Sequence, residues 1–154
     1  SGHENIACLH APEILPVSQA RMDGYRDCLV DYKINKNKIQ LFDGGFTLES
    51  SRIAVSTIMS SKNRPQALLT TDDLKFIASF RELRALNLSI PNDIALAGFS
   101  NQIINELIPM SVPNVTIPDG DLGFRAAELF FNIIEKNMPK KNRVINPTEL
   151  HYTI

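Results

Sequence analysis

Residues 65–101, PQALLTTDDLKFIASFRELRALNLSIPNDIALAGFSN, decide how the rest of the chain reads. Ala67-Leu68-Leu69 is a short apolar run of the kind that forms a buried strand. Thr71-Asp72-Asp73 follows as an acidic turn suited to opening a helix. Leu74, Ile77, Ala78, Phe80, Arg81 and Leu83 then recur at helical spacing. Asn87 suits a left-handed C-cap, and Pro91 stands just beyond as a stop. Ile94-Ala95-Leu96-Ala97 predicts a second strand, ended by Ser100-Asn101. Two parallel strands joined by a helix bring both polar turns to one edge of the sheet. In open α/β sheets that carboxyl edge is where small molecules bind, so the stretch predicts a ligand sensor rather than a scaffold.

The pattern repeats upstream. Ile6-Ala7-Cys8-Leu9 predicts a strand, and Ala11-Pro12 and Pro16 a loop. Ser18 is placed to cap a helix carrying Arg21, Gly24, Tyr25, Cys28 and Leu29. Ile39-Gln40-Leu41-Phe42 predicts the next strand, closed by Asp43-Gly44-Gly45. Thr47 is placed to cap a helix with Ile53, Ala54, Thr57, Ile58 and Met59. Ser50 stands where a capping box has Glu or Gln, so no full box is expected. Four strands alternating with three helices predict an α/β fold: a Rossmann-like parallel sheet with helices on both faces and right-handed crossovers. Downstream the rhythm breaks. Pro109, Pro113 and Pro118 mark an extended crossing segment, and a helix opening at Asp119 or Asp121 runs through Asn137. Pro147 precedes a last strand, Glu149 to Ile154.

At 154 residues one domain with a real core is expected. A net charge of −1 argues against a nucleic-acid surface on this chain itself. No apolar run approaches the roughly 20 residues that span a bilayer, and the start shows no signal peptide. It also lacks an initiator Met, so the chain reads as a piece of a longer, cytoplasmic protein. Cys8 and Cys28 have no metal-ligand spacing and are expected to be buried, reduced thiols. His3, His10 and His151 have none either; His10 reads as a structural loop histidine at the ligand edge. No metal or cofactor is implied. No nucleophile–base pair stands out, so an enzyme is not expected. A phospho-accepting receiver built on Asp72 or Asp73 would need an acidic pair after the first strand, where Leu9-His10-Ala11 stands instead. Gly44-Gly45 without a lysine is a weak phosphate cradle.

The segment Arg21-Met22-Asp23-Gly24-Tyr25 resembles the R-x-x-G-[FY] of the LacI/GalR transcription regulators. Asp43-Gly44-Gly45-Phe46-Thr47-Leu48-Glu49-Ser50 is similar to their G-D-F-S-x-E-S-G turn. Leu86 to Ala95 resembles L-G-L-x-I-P-x-D-I-A, and Gly98-Phe99-Ser100-Asn101 resembles G-F-D-[DN]. Gly2-His3-x-x-Ile6-Ala7, Pro65 to Leu74 and Asp121 to Leu129 match further family motifs in family order. The resemblance implies a periplasmic-binding-protein-like (type I) fold. Residues 1–115 would be the C-terminal effector subdomain. Residues 116–140 would be a crossing segment and a helix belonging to an N-terminal subdomain not included, and residues 141–154 a return strand. That helix, without its partner, would favour self-association. Function would be effector binding and dimerisation for a regulator that senses a sugar or sugar-like molecule. DNA would be reached only through a domain outside this chain. The homodimer would form through the helix Asp72–Leu86 and the segment Ile103–Ile108. The alternative is a periplasmic-type sugar-binding protein of the same fold class.

The same resemblance places candidate ligand residues. Arg21 would grip hydroxyls or a carboxylate with its planar donor fork. Phe46 would stack on a sugar or base, or else pack the start of its helix. One of Asp72 and Asp73 caps the helix. Asp72 stands where the family has Asn, and a carboxylate only accepts, so the ligand should offer donors there. Ser100 replaces the usual Asp, which argues against a standard sugar contact at that turn. Asn101 would supply a substitute contact, and Asp119 would line the cleft.

Overall fold

The computed structural model of the chain describes residues 2–35, 38–101, 108, 112–116, 119–135 and 148–151. The elements in order are β1 (Ile6–His10), α1 (Pro16–Asp31), β2 (Gln40–Asp43), α2 (Leu48–Ser60) and β3 (Ala67–Thr70). They continue as α3 (Asp73–Ala85), β4 (Ala95–Ser100), β5 (Asn114–Thr116), α4 (Asp119–Ile134) and β6 (Glu149–His151). One sheet orders them β2-β1-β3-β4-β5-β6. The first five strands run parallel, and β6 pairs antiparallel to β5. β5 falls within the stretch read as an extended crossing segment.

Period-two alternation sends successive strand residues to opposite faces. Ala7, Leu9, Leu68 and Leu96 meet Val55 and Ile58 of α2 and Phe76 and Leu83 of α3. Cys8 points the other way, onto Tyr25 and Leu29 of α1. Helices therefore cover both faces. Each fully buried large apolar side chain contributes roughly 1.5–3 kcal/mol by leaving water. Burial pushes the Cys8 thiol up to about 12, so it stays protonated. Cys28 is exposed, against expectation. It sits one position off the stripe of Met22, Tyr25 and Leu29 that faces the sheet.

Helix ends follow local chemistry, with two corrections. Ser18 does not cap α1, which starts at Pro16 with Leu15 as an unassisted N-cap. Buried in the first turns, Ser18 donates its hydroxyl to Ala11 O. At α2 the capping box is complete. The Thr47 hydroxyl accepts from Ser50 N at 3.0 Å and the Ser50 hydroxyl accepts from Thr47 N at 3.2 Å. A serine hydroxyl at close range does what Glu or Gln does in the usual pattern. Asn87 takes φ 57° as the C-cap reading required. Leu88 N–H donates to Leu83 O and Asn87 N–H to Arg84 O, the paired bonds of a Schellman end.

The face of α3 differs from the apolar spacing. Lys75, Phe76, Ala78, Ser79, Glu82 and Leu83 are buried, while Arg81 is exposed. α3 packs on α2 as well as on the sheet, and the α2 side takes a polar stripe. Ile108 packs against the chain's own core; Ile103 to Leu107 lie outside the described residues. α4 ends at Ile134, short of Asn137. It leaves Leu122, Phe124, Phe130, Phe131, Ile133 and Ile134 between 44% and 67% exposed.

Candidate functional site

The carboxyl ends of β1, β2, β3 and β4 are tied together by side chains that cross from one element to the next. Ala11 N, just past β1, donates to the Thr71 hydroxyl past β3 at 3.2 Å. Arg21 on α1 donates from Nη1 to Thr71 O. Asn101, past β4, donates from Nδ2 to Asp73 Oδ2 at 2.9 Å. Lys75 on α3 donates from Nζ to Gly45 O, past β2, at 2.6 Å. Each bond satisfies a backbone or carboxylate group that strand ends leave over.

Arg21 is half-buried, its Cζ 4.2 Å from the centroid of Phe99 on β4. A cation on an aromatic face at this range is worth about 0.5–2 kcal/mol. Burial pulls the Arg21 pKa down, and the nearby Asp72 and Asp73 carboxylates oppose that. Phe99 sits on the α1 side of β4 because alternation sends Gly98 and Ser100 to the other side. Gly98 has no room for a side chain: a Cβ there would lie 2.0 Å from Thr70 Oγ1 and 2.9 Å from Thr70 O.

Asp72 is the residue that caps α3. Its Oδ1 accepts from Lys75 N at 3.1 Å, and its Oδ2 lies 3.4 Å from Lys75 Nζ. Both oxygens therefore have partners within the chain. Ser100 is buried at the end of β4, and Asn101 is half-buried beside Asp73. Phe46 is 65% exposed at the mouth of the β2 turn. His10 is buried, with Nδ1 2.8 Å from Ala11 O, the structural role. Asp119 opens α4, and its side chain lies outside the described residues. Arg21, Asp72 and Asn101 are thus joined through Thr71 and Asp73, while Phe46 stands free at the rim.

Sequence reasoning missed Thr71, Phe99 and Lys75. Their signals were present: Phe99 lies within the Gly98–Asn101 motif, and Lys75, Ser79 and Glu82 form one stripe at i, i+4 and i+7. The arrangement offers a cationic donor fork, aromatic surfaces and hydrogen-bond acceptors at one edge. Among the described residues no three His, Cys, Asp or Glu gather as metal ligands.

A family model described as a periplasmic binding protein-like domain matches residues 1–152. The NTD biosynthesis operon regulator NtdR of Bacillus subtilis (strain 168) is 28% identical over 151 residues, covering 97% of this chain and 46% of the relative. A solved transcriptional regulator CelR–cellobiose complex superposes with TM-score 0.86 at 25% identity, covering 97% of this chain and 46% of that one. A LacI transcriptional regulator from Bacillus cereus superposes with TM-score 0.84 at 27% identity, covering 98% of this chain and 54% of that one. The chain thus spans about half the length of the relatives it matches.

Proposed function

The chain belongs to the periplasmic-binding-protein-like domain family, and on that premise we propose that it is the effector-binding and dimerisation part of a LacI-type transcription regulator. The observation that carries this reading is Arg21, laid on Phe99 and fastened to Thr71 at the carboxyl edge. A rigid donor fork beside an aromatic ring and acceptors suits a polyhydroxyl ligand, which needs directional donors and an apolar face. A saccharide effector accords with the cellobiose bound in the CelR complex. The similarity to regulators favours this reading over a periplasmic sugar-binding protein, and over an enzyme.

In this reading residues 1–115 form one wall of the cleft. Residues 116–140 supply a crossing segment and a helix for an N-terminal subdomain, and residues 141–154 return to the first wall. The exposed apolar side chains of α4 accord with a helix that packs on something else. Homodimerisation would use the outer side of α3, where Arg81, Arg84 and Leu86 are exposed, with Ile103–Ile108. DNA contact would belong to another domain, and the protein would work in the cytoplasm. Among the described residues no helix is long and apolar enough to cross a membrane. Ligand would close the cleft, and the population shift would change the spacing of the dimer's DNA-binding heads.

A thermal-shift screen of sugars, sugar phosphates and nucleosides on the full reading frame tests this. A saccharide at about 100 times its Kd should stabilise by about 2.7 kcal/mol, and Arg21→Ala should abolish the shift. Stabilisation by nucleosides alone would sink the saccharide reading. The 154-residue chain by itself should bind weakly or not at all; tight stoichiometric binding in calorimetry would contradict the half-cleft.

A further inference from the structure

Lys75 is 2% exposed, and a buried ammonium is costly unless paired. It is paired twice, by Gly45 O at 2.6 Å and by Asp72 Oδ2 at 3.4 Å. The turn after β2 is shaped around it. A Cβ on Gly44 would lie 3.1 Å from Lys75 Cγ and Cε and 3.3 Å from Leu9 Cδ1, so a side chain there would push the lysine stem aside by a few tenths of an ångström. Gly45 takes φ +65°, the left-handed region that favours glycine, and its carbonyl receives the ammonium. Ser50 and Ser51 donate their hydroxyls to Gly44 O at 2.7 and 2.8 Å and hold the turn from the other side. The turn carrying Phe46 is thereby fastened to the helix start carrying Asp72.

We propose that Lys75 is a specificity-determining positioning residue of the effector site. It sets the Phe46 turn against the Asp72 turn and cancels the Asp72 charge. Asp72 then meets a ligand as an acceptor for hydroxyls rather than as a counter-charge for an amine. This rests on the effector-site reading. The nearby charges accord with it: Arg21 lies beside Asp72 and Asp73, Asp73 is bonded by Asn101, and Asp43 turns its carboxylate onto Gly45 N at 2.7 Å. Removing the ammonium takes away the ion-pair partner of Asp72 Oδ2 and leaves Asp72 with only Arg21 and the start of α3 to offset its charge at the ligand edge.

The test is an amide NMR titration of the 154-residue chain with glucose and with glucosamine, in the wild type, Lys75→Met and Gly44→Ala. Lys75→Met should move the ratio of the two dissociation constants about five-fold toward glucosamine, the scale of one partly exposed charge pair. It should also speed amide exchange about tenfold at Gly44, Gly45 and Lys75, the bonded amides of the two turns, while Leu9 and Leu68 stay protected. Gly44→Ala crowds the stem but keeps the charge, so it should loosen the same turn and leave the ratio alone. An unchanged ratio in Lys75→Met overturns the specificity role. If neither sugar moves a carboxyl-edge amide in any of the three proteins, the specificity role falls, while the saccharide reading is decided by the thermal-shift screen on the full reading frame. The exchange data then decide positioning alone: faster exchange at the turn supports it, and wild-type exchange overturns it.

Discussion

The carboxyl edge and helix α4 sit at opposite extremes of self-sufficiency. At the edge, polar side chains from four elements find partners within the chain, and even a buried lysine is matched. On α4, Arg125 bonds Glu128 of the same helix, Phe130 and Phe131 meet edge to face, and large apolar side chains stand in solvent. The edge fixes its own geometry before any ligand arrives. The helix has the composition of a buried element without being buried, which accords with the proposal that it packs on a partner surface.

Substitutions can break that contrast in graded fashion. Phe76→Ala should do most damage. It empties a core position that also packs beside Gly98, and should cost about 3–5 kcal/mol in urea unfolding. Gly98→Ala comes next, because its new Cβ meets Thr70 side chain and backbone together; overpacking of this kind costs about 1–3 kcal/mol, read as a drop in the urea midpoint. Asp72→Ala removes the α3 cap, worth about 0.5–2 kcal/mol, and one partner of the buried Lys75 ammonium, so it should lower stability more than Asp73→Ala does. A larger loss from Asp73 would reassign the cap. Smallest of all, the double change Phe130→Ser, Phe131→Ser should leave stability within about 0.5 kcal/mol while reducing self-association in sedimentation. If it cost as much as Phe76→Ala, the contrast would be wrong and α4 would be part of the core.

The sequence was most legible where local chemistry decides. Apolar runs became β1 to β4, and Asn87 made the left-handed turn for which a short polar side chain suits it. The carboxyl edge followed from topology, so Arg21, Asp72 and Asn101 fell at one place. Burial of polar residues was not legible. Lys75 is inside because a carbonyl 30 positions earlier in the chain receives its ammonium, and no local spacing encodes that. Ser50 completes a box that sequence patterns assign to longer side chains, because its hydroxyl sits near enough to need no reach. Cys28 shows the converse: a small apolar residue stays in solvent when the helix stripe passes one position away.

The four bonds that tie the carboxyl edge have a consequence for the order in which the chain is made. All of their donors and acceptors lie between Ala11 and Asn101. A ribosome has therefore finished every part of the edge before it reaches the first residue of α4. Arg21, Asp72 and Lys75 are all in the nascent chain while the apolar helix is still unmade. Among the described residues, the helix with the most exposed apolar side chains is thus made after the four strands whose ends carry the edge.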